Sequence, residues 1–89
     1  YQRSRGLGDV YKRQEEIQCM WMKNTSIPLS IAFIKEEGEI SDIYDLYPFS
    51  TVSVCSTDKV KYALEVNRGW FAEKQISLGD TLTSSKIKW

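Results

Sequence analysis

Apolar and polar residues alternate over two stretches of the chain, which is the pattern of half-buried β-strands. In residues 17–23 the alternation gives two opposite faces, one with Ile17, Cys19 and Trp21 and the other with Gln18, Met20 and Met22. In residues 60–66 the two faces carry Val60, Tyr62, Leu64 and Val66 on one side and Lys61, Ala63 and Glu65 on the other. Both stretches are therefore predicted to be strands.

A hairpin is predicted between these two stretches. Residues 30–35 are apolar on both faces, which indicates a strand enclosed by a core. The turn that follows contains Gly38, a residue that accepts the positive φ of a tight connection. Residues 39–44 are therefore predicted to return as the hairpin partner.

Shorter elements complete the prediction. A final strand is expected at residues 81–83, continuing at Ile87, whereas residues 52–54 are too short to assign and could form an edge strand. Asn67 suits a helix N-cap, after which residues 70–75 make one or two helical turns. Several short strands with one brief helix near residues 68–75 indicate a mainly β domain, a small sandwich or open barrel of mostly antiparallel strands. The 89 residues allow one small domain.

The first fourteen residues differ from the rest in charge and pattern. Residues 1–14 hold four basic side chains and one acidic one, whereas residues 15–89 hold 8 basic and 11 acidic ones. The segment resembles translated adapter sequence at the ends of reading frames from metagenome assemblies. We therefore expect residues 1–14 to be a non-native or disordered tail, and residues 15–89 to be the C-terminal part of one β domain. A basic binding arm and a short helix beginning at Asp9 remain alternatives.

Charge and composition exclude several classes of function. The chain has 12 basic and 12 acidic residues and no His. A zero net charge lacks the basic field of a dedicated nucleic-acid binder, and the absence of His excludes His-dependent nucleophilic and metal chemistry. No apolar run approaches the roughly 18–20 residues that span a bilayer. We therefore expect no nucleic-acid partner, no metal, no cofactor and no membrane-spanning segment within this sequence.

Two cysteines leave a redox question open. Cys19 and Cys55 are too far apart in sequence for a CxxC motif. They could form a disulfide, which would restrict the unfolded chain. The alternative is a pair of free thiols buried as small apolar side chains.

Three blocks of sequence resemble a known family. Residues 20–29 read Met-Trp-Met-Lys-Asn-Thr-Ser-Ile-Pro-Leu, and residues 62–67 read Tyr-Ala-Leu-Glu-Val-Asn, with Gly69-Trp70 after them. With the turn at residues 76–80, they resemble in sequence and order an uncharacterised bacterial and archaeal family, catalogued as domain of unknown function 192. Ser30 departs from that family, in which many members carry Asp. The resemblance also implies that one or two N-terminal strands are missing, leaving an exposed sheet edge.

The signature block supplies the first candidate site residues. Trp21 could act as a stacking platform, Lys23 as a cation, and Asn24 and Thr25 as hydrogen-bonding groups for a ligand. In the alternative interpretation Trp21 packs under a loop, Lys23 is solvated, and Asn24 and Thr25 satisfy backbone groups of a turn.

The second block adds Glu65 and Asn67. A buried Glu65 paired with Lys23 would form a site with perturbed pKa values. A solvated Glu65 and a helix-starting Asn67 are the structural alternatives. The acidic residues of the hairpin region (Glu36, Glu37, Glu39, Asp42 and Asp45) lack the ligand spacing of a calcium loop and are expected to form a solvated face.

Two functions from different classes follow. The resemblance implies a small non-catalytic binding or accessory module that is periplasmic, secreted or anchored outside the cytoplasm, since family members commonly carry an upstream export signal or anchor. Its partner would be a small molecule or a protein. The alternative is a hydrolase-like enzyme that uses the Lys23/Glu65 pair, although no activated nucleophile is visible.

Overall fold

Six strands and one short helix follow one another along residues 9–82, the part of the chain that this computed structural model describes. In chain order they are β1 (Asp9–Glu16), β2 (Cys19–Met20), β3 (Leu29–Ile34), β4 (Ile40–Leu46), β5 (Val54–Cys55), β6 (Val60–Asn67) and α1 (Trp70–Glu73). The larger sheet has the order β1-β6-β3-β4, and β2 pairs with β5 in a separate ribbon. Every strand pairing is antiparallel in the described residues. The mainly β prediction is confirmed, and the strands of the described chain do not close into a barrel.

β3 occupies the centre of the molecule, and all six of its residues are buried. On one face Ala32 and Ile34 pack in a cluster with Phe71 of α1 and Leu82. On the opposite face a second cluster contains Leu29, Ile31 and Phe33 together with Met22, and Met20 packs against it. The predicted enclosed strand is therefore confirmed, with a layer of chain covering each side of the sheet.

The β2–β5 ribbon covers the second face through alternating side chains. Gln18 and Met22 are buried, whereas Ile17 and Trp21 are about half exposed, as the alternation predicted. Gln18 also ties the ribbon to the sheet, since its backbone N–H bonds Ser56 Oγ at 3.0 Å and its Nε2 donates to the carbonyl oxygen of Val60 at 3.1 Å. Regular pairing covers only two residues in each strand. The strand is therefore shorter than the seven residues, 17–23, predicted from the alternation.

A disulfide joins Cys19 of β2 to Cys55 of β5, which stand directly opposite each other in the ribbon. Of the two possibilities left open by the sequence, the structure therefore contains the crosslink. It encloses a long stretch of chain, because the two residues are 36 positions apart.

The C-terminal part of the described chain covers the first face. Backbone bonds attach it to β4 and to the preceding turn, since Ile40 donates to the Asp80 carbonyl oxygen and Leu82 donates to that of Gly38. Thr81 makes one bridge to Glu39 instead of a strand, and the rest of the predicted final strand lies outside the described residues. Within residues 9–82 no helix is long and apolar enough to cross a membrane.

Two expectations about the ends of elements are corrected. The N-cap of α1 is Gly69, at φ 90°, and not Asn67, because β6 continues through residue 67. Residues 9–14 form part of β1 and pair with β6, so the alternative of a helix beginning at Asp9 is wrong. Residues 1–8 lie outside the described part of the chain, and the non-native origin of the segment stays a prediction.

Reduction of the disulfide is expected to lower stability substantially. Closing a 36-residue separation restricts the unfolded chain by about 4 kcal/mol in the loop-entropy model. Urea unfolding with and without dithiothreitol should show a loss of that order in the free energy of unfolding. The Cys19→Ser/Cys55→Ser variant serves as the control, since dithiothreitol should not affect it. Equal stability of the oxidised and reduced protein would contradict the prediction.

Gly38 and Gly79 offer a matched pair for testing how the C-terminal segment packs on the hairpin turn. Both have positive φ, 97° and 88°, so alanine is strained at either position. A Cβ at residue 38 would also collide with the carbonyl oxygen of Leu82, whereas a Cβ at residue 79 meets open space. Gly38→Ala should therefore lower the free energy of unfolding by about 1–3 kcal/mol more than Gly79→Ala in urea titrations. Similar losses in the two variants would show that this close approach does not matter.

Candidate functional site

Two loops meet at the end of the sheet where β4 and β6 finish and β3 begins. Leu29 stands opposite Leu46 on one side and Asn67 on the other, which brings these three strand ends level. The loop of residues 21–28 leads into β3, and the loop of residues 47–53 leaves β4. Two backbone hydrogen bonds join them, from Met22 N–H to the Ser50 oxygen at 3.1 Å and from Phe49 N–H to the Thr25 oxygen at 3.0 Å. The two loops therefore form one connected unit.

Exposed apolar side chains are concentrated on this unit. In the described residues seven large apolar side chains are exposed, and the two loops carry five of them, at 46% to 71% exposure: Trp21, Ile27, Tyr47, Phe49 and Val52. We call these five side chains the loop surface. Grouped exposed apolar side chains mark interaction sites more often than scattered ones do.

Phe49 is held in an unusual backbone conformation. Its φ of 61° lies in the left-handed region, which costs a non-glycine residue roughly 1–2 kcal/mol. The same residue has a ring that is 62% exposed, so burial of the ring does not offset that cost. Residues in strained backbone conformations cluster at functional sites, so Phe49 is a candidate site residue.

Two cations lie over aromatic rings of the loop surface. Lys23 Nζ is 5.6 Å from the ring centroid of Trp21, and Arg68 Cζ is 4.6 Å from that of Tyr47. Arg68 Nη2 also donates to the carbonyl oxygen of Leu46 at 2.7 Å. Because the hydrogen bond and the ring contact hold the guanidinium, its charge is fixed beside the loop of residues 47–53.

Lys35 and Lys61 have acidic neighbours instead. Lys35 forms ion pairs with Glu39 and Asp58, and these two carboxylates raise its pKa, Glu39 contributing most. Lys61 pairs with Glu36. Within residues 9–82 no such carboxylate partner lies within ion-pair distance of Lys23 or Arg68. Their charges therefore remain available to an anionic partner.

A pocket of about 310 Å3 lies beside the loop surface. Its lining combines core residues with loop residues: Met22, Asp45, Leu46, Tyr47, Ser50, Val52 and Val54. Ser30 occupies the position at which many members of the similar family carry Asp. It is buried, and its Oγ donates a hydrogen bond to Asp45 Oδ1 at 3.0 Å. The pocket is thus mainly apolar, with one carboxylate oriented by a buried hydroxyl.

The candidate residues of the signature block lie in or beside this unit. Trp21, Lys23 and Asn24 are exposed, and Thr25 is half-buried with its backbone bonded to Met22 and Phe49. Asn67 is exposed at the end of β6. The structure therefore brings the signature block to the same end of the sheet as Asn67.

Glu65 is not part of that surface. It is 6% exposed, and its Oε1 lies 3.5 Å from the hydroxyl of Tyr11. Lys23 points outward over Trp21, and the ion pairs in the described chain do not join it to Glu65. The proposed Lys23/Glu65 pair is therefore not formed.

Sequence reasoning missed Tyr47, Phe49, Val52 and Arg68. The segment Tyr47-Pro48-Phe49-Ser50 separates two predicted strands in the sequence. Two aromatic residues flanking a proline in such a break are a usable signal, because loops lie at the surface and leave large rings exposed.

Asp42 corrects the expectation of a solvated acidic face. It is 8% exposed and accepts hydrogen bonds from both Thr57 N–H, at 2.9 Å, and Thr57 Oγ1, at 3.1 Å. Ser41 and Tyr44 hydroxyls also donate to it. Burial, and then the Asp42 charge, raise the pKa of Tyr44. This cluster fixes the connection between β5 and β6, so its role is structural.

Comparison with known proteins places the chain in a family. The model of the family DUF192, described as uncharacterized ACR, matches residues 2–84. No curated protein matches the sequence. Two solved structures are similar. One, from Sinorhizobium meliloti 1021, is provisionally described as a transcription regulator, with 34% identity over 83% of this chain and a TM-score of 0.79. The other, of unknown function, is from Novosphingobium aromaticivorans DSM 12444, with 27% identity over 81% of this chain and a TM-score of 0.76.

The chain spans only 59% and 53% of the length of those two proteins. Their descriptions therefore give it a fold and relatives but no activity. Because the family model matches nearly the whole sequence, and the signature at residues 20–29 supplies the loop of residues 21–28, the chain belongs to the DUF192 family.

Proposed function

We propose that this protein is a non-catalytic binding module that acts outside the cytoplasm and contacts its partner through the loop surface. The observation that carries the proposal is the concentration of exposed Trp21, Tyr47 and Phe49 on two joined loops, with Lys23 and Arg68 lying over two of the rings. Aromatic side chains and arginine supply much of the energy at binding surfaces.

The rigidity of the loops supports a binding role. The bonds between Met22 and Ser50 and between Thr25 and Phe49 hold the loops together, and the guanidinium of Arg68 holds the end of β4. A surface that is already ordered loses little conformational entropy when a partner binds. The adjoining pocket adds a concave apolar site for one group of that partner.

The disulfide supports a location outside the cytoplasm. Cys19 is exposed, and Cys55 is half-buried, so cytoplasmic reductants would reach the bond. Disulfides persist in oxidising compartments and are rare in the cytosol. An exported protein would keep the crosslink that holds the β2–β5 ribbon.

No observation favours the hydrolase alternative. Its Lys23/Glu65 pair is not formed, because Lys23 is at the surface and Glu65 is buried. Asp42, a buried carboxylate with hydroxyl partners, holds the chain at Thr57.

Binding through the loop surface can be tested with phenyl phosphate, a small probe that joins an aromatic ring to an anion. Titration into the 15N-labelled protein should shift the amide signals of residues 22–25, 47 and 49–52, with a dissociation constant of roughly 1–10 mM for so small a ligand. Tyr47→Ser should weaken the binding several-fold. Leu78→Ser is the matched control, since Leu78 is 64% exposed outside the loop surface. Shifts that are absent, or that fall elsewhere, would contradict the proposal.

The proposed location predicts the thiol state in the native cell. Cells quenched in acid and treated with a maleimide polymer should yield protein with no modified cysteine until a reductant is added, because the Cys19–Cys55 bond is intact. A version produced without an export signal in a bacterial cytoplasm provides the reduced reference. Protein isolated with both thiols modified before reduction would rule out an oxidising compartment.

A further inference from the structure

We propose that the loop surface docks on an anionic phospholipid surface, an inference that rests on the binding role proposed above. It goes beyond the expectation of membrane contact through an upstream anchor, because the described domain itself would touch the lipid. Three features of the loop surface lead to this partner: its side-chain types, its uncompensated charges and its small, rigid extent.

The side chains are of the types that partition into a lipid–water interface. Trp21 and Tyr47 have rings with one polar group, which suits the headgroup region. Phe49, Val52 and Ile27 are wholly apolar and are 62%, 71% and 46% exposed, so they can enter the acyl boundary without first leaving a core.

The charges favour an anionic surface. Lys23 and Arg68 lie over rings that belong to the loop surface, so contact by the rings also brings both cations to the lipid phosphates. Asp45, the carboxylate of the adjoining pocket, accepts a hydrogen bond from the buried Ser30 and is turned toward β3. Lys23 and Arg68 thus bring two positive charges to the loop surface beside this one carboxylate.

The extent of the surface distinguishes lipid from an acidic protein. A standard protein interface uses roughly 20–30 residues on each side, whereas the loop surface presents five apolar side chains and two cations. Insertion into a lipid interface requires no matching groove. Phe49 is 62% exposed, as insertion requires.

Co-sedimentation of the full chain with phospholipid vesicles tests the inference. We expect binding to vesicles of phosphatidylcholine with about one third phosphatidylglycerol, and weaker binding to phosphatidylcholine alone. Raising NaCl from about 50 to 500 mM should remove most of the difference, because surface charges are then screened.

Phe49→Asn is the decisive apolar variant. Asparagine accepts left-handed φ more readily than phenylalanine, so the variant should melt at the same temperature or higher while it loses the ring. Its vesicle binding should fall about tenfold, from the loss of one inserted ring. Leu78→Asn, which removes an equally exposed side chain from the C-terminal turn, should leave binding unchanged.

A second pair of variants tests the charges. Lys23→Gln should weaken binding to the anionic vesicles about fivefold and leave binding to neutral vesicles unchanged. Lys59→Gln is its control, because Lys59 is exposed beside the first residue of β6, at the opposite end of that strand from Asn67.

The outcomes separate this inference from the proposed function. Failure to bind anionic vesicles, or equal losses in Phe49→Asn and Leu78→Asn, overturns the lipid inference. If phenyl phosphate still shifts residues 22–25, 47 and 49–52 in that case, the binding role stands and the partner is of another class. An acidic aromatic peptide that binds the loops of a vesicle-inactive protein would identify a protein partner and would equally overturn the lipid inference.

Discussion

Burial of both faces of β3 is the constraint on which the remaining structure depends. A strand whose six residues are all buried needs an apolar layer on each side of its sheet. Phe71 of α1 and Leu82 supply one layer, and Met20 of the ribbon and Met22 just after it supply the other. The ribbon has only two paired residues per strand, too few to be stable alone. The Cys19–Cys55 bond and the hydrogen bonds of Gln18 therefore hold a layer that backbone pairing could not hold.

The loop surface is a consequence of the same packing. The alternation that buries Met22 turns Trp21 outward, and the next residues must then cross from the ribbon to the start of β3. On the other side, Leu46 is buried at the end of β4 and Tyr47 is exposed directly after it. Two exposed aromatic rings thus follow from two buried residues, and Lys23 and Arg68 reach them from adjoining positions. Such cation–ring contacts contribute only about 0.5–1 kcal/mol at exposed sites, so stability alone is a weak reason for the arrangement.

Local patterns were sufficient to predict most of the strands, since alternation fixes which face each side chain occupies. This holds for residues 17–23, for the enclosed β3 and for the turn at Gly38. Features that depend on distant contacts could not be predicted. Asp42 is buried because Thr57 packs on it from fifteen positions away. Trp21 and Lys23 were found through their motif. Phe49 and Arg68 were missed because only the register of β3 with β4 and β6 brings them close to that motif, and the sequence does not show this register.

The Cys19–Cys55 disulfide makes the order of the loop surface depend on the redox state of the compartment. Both loops lie in the sequence between Cys19 and Cys55, so the disulfide closes a ring of chain that contains the whole loop surface together with the β3–β4 hairpin. The β3–β4 hairpin is held by the pairing of β3 with β6. The two ends of the segment between the cysteines are held by the β2–β5 ribbon. In an oxidising compartment the bond therefore keeps Met22 against the core and Trp21 outward without any partner present. In a reducing compartment, only the two paired residues of each ribbon strand and the hydrogen bonds of Gln18 would hold Met22 and Trp21 in place. Part of the binding free energy would then be spent on ordering the loops. The disulfide thus holds both the layer over β3 and the two ends of the segment that carries the loop surface.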